Sequence, residues 1–231
     1  MTRKTVGVIG GKGPEATEVL FRRIIAQTPV TCEEEHLHVL IDNNPQIPKP
    51  ALGITGEGAD PTPALVASAK LLERAGAGFL VIPCNSAHAY LEAIRAAIAI
   101  PVVSIISETV AAVAREGCTS VGLLASTGLL RTGLYQKAFE AAGVSVVLPG
   151  EDDQSAMLAG IMTFKDTGGA GPVREALDRL CPSLVARGAE GLVLGCTELP
   201  VVLDDATLAV PAFDTIDILA RAAVREAIRE D

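Results

Sequence analysis

RAGAGFLVIPCN, from Arg74 to Asn85, is repeated in outline by RGAEGLVLGCT, from Arg187 to Thr197. Each stretch begins like the end of a helix and continues as a short apolar run typical of a buried parallel strand. Each then finishes with a cysteine, Cys84 or Cys196, followed by a small polar residue. The repetition predicts a duplicated α/β unit in which one thiol follows the same strand of each half.

A second pair of segments repeats at nearly the same offset, GVIGGKGPEAT from Gly7 and GLLASTGLLRT from Gly122. Strand and helix patterns alternate between these landmarks, which favours βα units. We therefore expect an α/β fold with two pseudo-symmetric domains, each a mainly parallel four-stranded sheet flanked by helices. The expected domains are residues 1–103 completed by 212–231, and residues 104–211. Ligands of such sheets bind at the carboxyl ends of the strands, so we expect the active site in the cleft between the domains.

Composition narrows the classes of function. The chain has 231 residues, 49% of them apolar, and a formal net charge of −9. That charge, without any basic run, argues against a nucleic-acid partner. The short apolar N-terminal run breaks at glycines, so we expect neither a signal peptide nor a membrane partner. Five cysteines, an odd number, indicate free thiols in a reducing cytoplasm, and none has the spacing of a zinc site.

Four further segments carry predictions about local structure. The stretch from Pro45 to Pro63 is rich in proline and glycine and has no periodicity, which predicts a functional loop over a site. The piece from Gly150 to Gly171 also reads as irregular. The residues after Cys84 predict one helix from about Ser86 to Ala97, and IPVVSI, starting at Ile100, predicts a further short strand.

A glycine loop follows the first strand. The sequence from Gly11 to Ala16 formally fits the dinucleotide pattern G-x-G-x-x-A. However, Pro14 removes an amide that a pyrophosphate needs, and no acidic strand end follows about 20 residues later. The pattern predicts instead a tight turn whose amides meet a small anion, such as a carboxylate, with Gly11 and Lys12 as binding candidates. A purely structural turn is the alternative.

The two thiols suit proton transfer at a carbon centre. Inverting that centre requires removal of a proton on one face and delivery on the other, which two opposed acid–base groups do best. Cys84 precedes an expected helix N-terminus, which favours a thiolate, and Glu198 near Cys196 favours a protonated thiol there. We expect one thiolate and one thiol at rest. The alternative is that both are buried apolar residues at strand ends.

Other polar residues could have either a functional or a structural role. His88, one turn after Cys84, is either a supporting group of the site or a histidine that packs within the fold. Cys32, Cys118 and Cys181 lack a repeated context, so we expect structural or surface roles for them.

The motifs together resemble the aspartate/glutamate racemase family. They extend over nearly the whole chain: GGKGPEAT from Gly10, NNPQIP from Asn43, PCNSAH from Pro83, the Thr127 region with GLYQKAFEAAG, and LGCTELP from Leu194. The resemblance implies the two-domain fold, a site between the domains, and neither pyridoxal phosphate nor a metal as cofactor. It also implies Cys84 and Cys196 as the two bases. The implied polar contacts to the substrate are Asn85, Ser86, Thr127 and Thr197, with Lys165 as the cation that meets an acidic side chain.

Two positions depart from the family pattern. Pro50 stands where members that act on acidic amino acids usually have an arginine, and Lys12 stands where the glycine loop usually has methionine. Lysine cannot reproduce the two-pronged contact of a guanidinium with a carboxylate. The preferred amino acid is therefore left open.

The sequence predicts a cofactor-independent amino-acid racemase, an isomerase acting on aspartate or glutamate. One alternative is a related thiol-dependent isomerase or decarboxylase of a small dicarboxylic acid. A second is a nucleotide-binding regulatory module that uses the glycine loop. The expected partners are an amino-acid substrate and, from the resemblance, a second copy of the chain in a homodimer.

Overall fold

The computed structural model describes residues 3–203 and 208–229, without the side chains of residues 165, 166 and 201. The chain forms two compact units. The first unit is Met1–Glu108 together with Ile216–Asp231, and the second unit is Thr109–Thr215. Each contains a parallel sheet flanked by helices, so the predicted α/β fold class is confirmed.

The sheet of the first unit has three strands in the order β2-β1-β3. They are β1 (Val6–Gly10), β2 (Val39–Asn43) and β3 (Phe79–Val81). Both neighbours run parallel to β1, which is buried along its whole length. Continuous burial explains why β1 is an unbroken apolar and glycine run rather than an alternating one.

A fourth strand in this sheet was predicted, and in the described residues it is reduced to one bridge. Val102 pairs in parallel with Leu80. The Leu80 amide donates to the Pro101 carbonyl at 2.8 Å, and the Val103 amide donates to the Leu80 carbonyl at 2.9 Å. Pro101 has no amide to continue the ladder, and the chain turns into a helix at Ile105, so no longer strand forms.

Two helices of the first unit bury apolar residues against this sheet. Leu65 and Leu72 of one helix and Ile94 of another belong to a shared apolar core. The helices are α1 (Pro14–Gln27), α2 (Pro50–Thr55), α3 (Thr62–Arg74), α4 (Leu91–Arg95) and α5 (Ile105–Arg115), the last of which continues into the second unit.

The stretch from Pro45 to Pro63 was predicted to be a functional loop without regular structure, and the irregular part of that prediction was wrong, because the stretch contains α2. Pro50 occupies the first turn of α2, and Gly56 ends it in the left-handed conformation with φ of 80°. Ile47 is buried in the core, and the Tyr90 hydroxyl donates to the Pro50 carbonyl at 3.3 Å. A helix of six residues is too short to display a 3.6-residue period in the sequence.

The second unit repeats the same strand order. Its parallel sheet runs β5-β4-β6-β7, with β4 (Ser120–Leu124), β5 (Ser145–Val147), β6 (Leu192–Leu194) and β7 (Ala212–Asp214). A Cβ on Gly122 would lie 2.7 Å from Leu192 Cδ2, just as a Cβ on Gly7 of β1 would lie 2.4 Å from Leu80 Cδ2. Both central strands therefore have a glycine where a leucine of the neighbouring strand approaches closely.

The prediction of an irregular piece from Gly150 to Gly171 was also wrong, because most of it is a long helix, α8 (Glu151–Thr167). Met157 and Ile161 of α8 are buried against the next helix, and a Cβ on Gly160 would lie 2.6 Å from Val173 Cα. Gly160 thus allows close helix packing rather than breaking the helix. The helices of the second unit are α6 (Thr127–Thr132), α7 (Leu134–Ala141), α8 (Glu151–Thr167), α9 (Gly171–Ala186) and α10 (Leu199–Val202).

The closing helix α11 (Thr215–Ile228) returns the chain to the first unit. The Lys4 amide donates to the Ala227 carbonyl at 2.9 Å, and Gln27 Nε2 donates to Asp217 Oδ1 at 2.6 Å. Across residues 3–203 and 208–229, no helix is both long and apolar enough to span a membrane.

Candidate active site

Cys84 lies just beyond the carboxyl end of β3, in the first unit. Its backbone is extended, with φ of −152° and ψ of 109°, and its side chain is partly exposed. The Cys84 amide donates to the Ile82 carbonyl at 2.8 Å. The predicted helix after this cysteine is a 3-10 helix, Asn85–Tyr90, followed by the short α4. The Ala87 amide already donates to the Cys84 carbonyl at 3.2 Å, which is the tight turn of a 3-10 helix.

His88 ties this cysteine to the start of α5. His88 Nε2 accepts the backbone N–H of Ile105 at 3.1 Å, and Nδ1 lies 3.0 Å from the Cys84 carbonyl oxygen. A nitrogen that accepts a hydrogen bond from an N–H carries no proton. Nδ1 therefore carries the ring proton and donates a hydrogen bond to the Cys84 carbonyl oxygen. This geometry defines one neutral tautomer and fixes the backbone on which the Cys84 thiol is mounted.

The electrostatics of His88 agree with that neutral state. Its side chain is 4% exposed. Burial lowers the pKa of His88 to about 4, the bond to Cys84 opposes the decrease, and the charge of Arg95 adds to it. A neutral imidazole is the form that can accept from Ile105 and donate to Cys84 at the same time.

The glycine loop lies beside Cys84 because β1 and β3 are adjacent and parallel. The Gly11 amide donates to Thr17 Oγ1 at 3.0 Å, so this amide is engaged within the loop. Gly11 has φ of 91°, and a Cβ there would lie 2.3 Å from the Asn44 carbonyl carbon. Glycine is required at this position both by its backbone conformation and by the close approach of Asn44.

Lys12 fastens the same loop to the segment after β2. Its ammonium donates to the carbonyls of Pro45, at 2.6 Å, and of Ile47. Asn85 and Ser86 follow Cys84 in the chain and are 3% and 9% exposed. The first unit therefore gathers these five predicted residues and His88 at one edge of its sheet: Gly11, Lys12, Cys84, Asn85 and Ser86.

Cys196 occupies the equivalent place in the second unit, beyond the carboxyl end of β6. Its thiol donates to Glu198 Oε2 at 3.0 Å, and the Thr197 hydroxyl donates to the same oxygen at 3.3 Å. At the end of β6, the buried Thr215 hydroxyl donates to the Leu194 carbonyl at 2.9 Å. Cys196 is partly exposed, so the thiol combines access with a fixed carboxylate neighbour.

Thr127 follows the neighbouring strand β4, where it begins α6 beside the end of β6. Its hydroxyl accepts a hydrogen bond from Gln154 Nε2 at 3.3 Å, and the same nitrogen donates to the Ala125 carbonyl at 2.8 Å. Gln154 belongs to α8 and was not predicted as a site residue. Lys165 also lies in α8, but its side chain is outside the described part of the structure.

The remaining cysteines range from buried to exposed. Cys181 is buried in the core of the second unit, and burial raises the pKa of its thiol to about 11. Burial and nearby carboxylates also raise the pKa of Cys118. Cys32 is exposed. Among the described residues, no group of three or more His, Cys, Asp or Glu side chains is arranged to hold a metal ion.

Comparison with known proteins assigns the chain to a family. A family model described as Asp/Glu/Hydantoin racemase matches residues 9–223. The chain belongs to that racemase family. Racemases are isomerases, so the predicted family, enzyme class and racemase function are confirmed.

Individual racemases resemble the chain over most of its length. The broad-specificity amino-acid racemase RacX of Bacillus subtilis is 25% identical over 224 residues, which are 95% of this chain and 96% of RacX. The glutamate racemase of Corynebacterium glutamicum is 34% identical over 138 residues, 58% of this chain and 48% of that protein. The aspartate racemase of Picrophilus torridus has the same fold, with a TM-score of 0.86, 24% identity and coverage of 97% of this chain and 94% of that one.

Proposed function

We propose that this racemase interconverts the L and D forms of aspartate, glutamate or both without a cofactor, using Cys84 and Cys196 as its two acid–base groups. One observation carries the proposal. In two units with the same strand order, a partly exposed thiol follows the equivalent strand, β3 or β6. A duplicated thiol matches the need for one proton-transfer group on each face of the α-carbon.

The proposed reaction conserves protons and electrons at each step. The Cys84 thiolate removes the α-proton, the S–H bond forms, and the electron pair of the broken C–H bond stays on the substrate as a carbanion. The Cys196 thiol then donates its proton to the opposite face, which leaves a thiolate at Cys196. In the reverse direction the two cysteines exchange roles, and the pair titrates as one coupled unit.

The contact between Cys196 and Glu198 supports this assignment of the resting state. The thiol lies 3.0 Å from the Glu198 carboxylate oxygen and donates to it. A thiolate would face a like charge at the same distance, so Glu198 favours the protonated form of Cys196. Cys84 is then the proposed thiolate, and its backbone carbonyl forms a hydrogen bond with His88.

The proposed substrate contacts are polar residues that lie next to each thiol. Asn85 and Ser86 beside one thiol, and Thr127 and Thr197 beside the other, supply amide and hydroxyl groups for the amine and carboxylates. Lys165 is proposed to meet the acidic side chain. Gly11 and Lys12 are proposed to shape the glycine loop at the site, since the Lys12 ammonium donates to the Pro45 and Ile47 carbonyls.

The identity of the amino acid is the specific part of the proposal. The relatives are named for a broad range of amino acids, for aspartate and for glutamate. Pro50, where an arginine is usual for acidic substrates, is buried at the start of α2 and offers no cation. We expect Lys165 to supply the charge that arginine supplies elsewhere, so aspartate or glutamate remains the proposed substrate.

Two further parts of the proposal concern the protein as a whole. We propose that the chain acts as a homodimer in the cytoplasm. Sedimentation velocity across a range of protein concentrations tests the first part: a species of twice the chain mass supports it, and a monomer at all concentrations contradicts it. Fractionation of the producing cells tests the second.

The proposed function is tested by incubating the enzyme with single L-amino acids in deuterium oxide. Aspartate or glutamate should lose optical rotation while its α-proton is replaced by deuterium. Dialysis against a chelator and addition of a pyridoxal-phosphate quencher should leave the rate unchanged. Activity on neutral amino acids alone would contradict the substrate assignment, and loss of activity on dialysis would contradict the cofactor-free mechanism.

A further inference from the structure

Gln154 is a buried polar side chain that the proposed mechanism does not use. It lies in the first turn of α8 and is 9% exposed. Its Nε2 donates to the Ala125 carbonyl at 2.8 Å and to the Thr127 hydroxyl at 3.3 Å. Its Oε1 is buried and has no hydrogen-bond partner among the described residues.

The orientation of the Gln154 amide follows from Ala125. A backbone carbonyl can only accept, so the group that faces it must be the NH2 of the amide and not its oxygen. The second hydrogen of the same NH2 is then directed to Thr127. A buried amide oxygen without a partner is unfavourable, so this side chain is poorly explained by packing alone. The two N–H groups of the amide, in contrast, both form hydrogen bonds, one to Ala125 and one to Thr127.

The bond from Gln154 sets the direction of the Thr127 hydroxyl. A hydroxyl has one proton to donate and two lone pairs that accept. Because Gln154 has no proton acceptor facing Thr127, the Thr127 oxygen accepts from it and the Thr127 proton must point elsewhere. Within residues 3–203 and 208–229, no acceptor for that proton is found. The hydroxyl is therefore oriented as a donor.

We propose that Gln154 is a positioning residue that holds the Thr127 hydroxyl as a hydrogen-bond donor, so that Thr127 binds a carboxylate oxygen of the substrate and not its ammonium. This inference rests on the proposed racemase function. A carboxylate only accepts, and an ammonium only donates, so an oriented donor distinguishes the two groups. Gln154 would thereby set the polarity of one substrate contact without touching the substrate.

Three variants test the proposal. Gln154→Glu keeps the size but places an acceptor against Thr127, which turns the hydroxyl proton away from the substrate. Gln154→Met removes the donors without adding charge. Gln136→Glu is the matched control, because Gln136 is another glutamine of the second unit whose Nε2 donates to a backbone carbonyl, that of Leu130, at 2.9 Å.

The first readout is binding of succinate, a dicarboxylate without an amine, measured by calorimetry together with KM and kcat for the acidic substrate. Gln154→Glu should weaken succinate binding and raise KM by about tenfold or more, as expected for loss of a hydrogen bond to a charged group. Gln154→Met should have a smaller effect of the same sign. The control Gln136→Glu should bind succinate as the wild type does.

A double-mutant cycle separates positioning from general damage. In a Thr127→Val background, Gln154→Met should change succinate affinity by less than about twofold, because the hydroxyl through which Gln154 acts is gone. An undiminished effect in that background, or equal affinities in Gln154→Glu and Gln136→Glu, would overturn the proposal. If the wild type itself fails to racemise any amino acid, the proposed function fails instead, and succinate binding still reports on Gln154.

Discussion

The thiol of Cys196 donates a hydrogen bond to the carboxylate of Glu198 at 3.0 Å. The two residues are separated by Thr197, whose hydroxyl donates to the same carboxylate oxygen. A carboxylate at this distance favours the thiol over the thiolate. In the first unit, the Cys84 carbonyl oxygen lies 3.0 Å from His88 Nδ1 and accepts a hydrogen bond from the Ala87 amide.

Glu198→Gln should make Cys196 more reactive, because it removes the negative charge that opposes a thiolate. We expect alkylation of Cys196 by iodoacetamide at pH 7 to accelerate on the order of tenfold. Mass spectrometry of the labelled peptides measures the rate at each cysteine. Cys84 should be unaffected, and Glu175→Gln, a change on the exposed face of α9, should alter neither rate. Slower labelling of Cys196 in Glu198→Gln would show that the carboxylate activates the thiol.

His88 should make the protein less stable in mild acid. Its pKa is lowered from 6.5 in the unfolded chain to about 4 in the fold. As the pH falls below 6.5, the unfolded chain binds the proton first. The stabilisation is therefore complete above pH 6.5 and is lost as the pH falls to about 4. The free energy of unfolding should decrease by on the order of 3 kcal/mol across this window.

Urea denaturation at several pH values measures this effect, with His88→Asn compared with His36→Asn. The variant at His88 should lose stability at neutral pH, because Ile105 and Cys84 lose their partner, and should lack the pH-dependent component. His36 is exposed, so its variant should follow the wild type. Parallel pH curves for His88→Asn and the wild type would contradict the neutral tautomer.

Gly11→Ala should disturb the glycine loop more than Gly56→Ala disturbs the end of α2. Both glycines have positive φ, 91° and 80°, so each alanine adopts an unfavourable left-handed conformation costing about 1–2 kcal/mol. Only Gly11 is also crowded, since its Cβ would lie 2.3 Å from Asn44, whereas nothing lies within 4 Å at Gly56. Thermal unfolding and turnover should both be affected more at Gly11. Equal losses of stability and activity would argue against the close approach of Asn44.

Lys165→Ala should discriminate between acidic and neutral substrates. If its ammonium meets the side-chain carboxylate, kcat/KM for aspartate should fall about tenfold to a hundredfold, with little change for alanine. Lys137→Ala, on the exposed face of α7, is the control. Lys12→Met should affect both substrates alike, because Lys12 bonds to the carbonyls that hold the loop. An equal change in kcat/KM for aspartate and alanine in Lys165→Ala would contradict the proposed contact between Lys165 and the side-chain carboxylate.

The sequence predicted the fold class and the strands that carry both cysteines, because buried parallel strands leave a strong apolar signal in the chain. It missed α2 and α8 for different reasons. The first is too short to show a period, and in the second Gly160 serves close packing against Val173. It could not reveal Gln154, since the contacts with Ala125 and Thr127 form only when α8 packs beside the end of β4. Contacts between distant segments leave no local pattern.

The two-thiol mechanism is tested most directly by α-proton exchange in Cys84→Ser and Cys196→Ser, each incubated separately with L- and D-aspartate or glutamate in deuterium oxide. Neither variant should racemise, because each has lost the group that serves one face. Each should still exchange the α-proton of one enantiomer through its surviving thiol, and the enantiomer should differ between the two variants. Racemisation at the wild-type rate by either variant, or exchange of the same enantiomer by both, would contradict the assignment of one cysteine to each face.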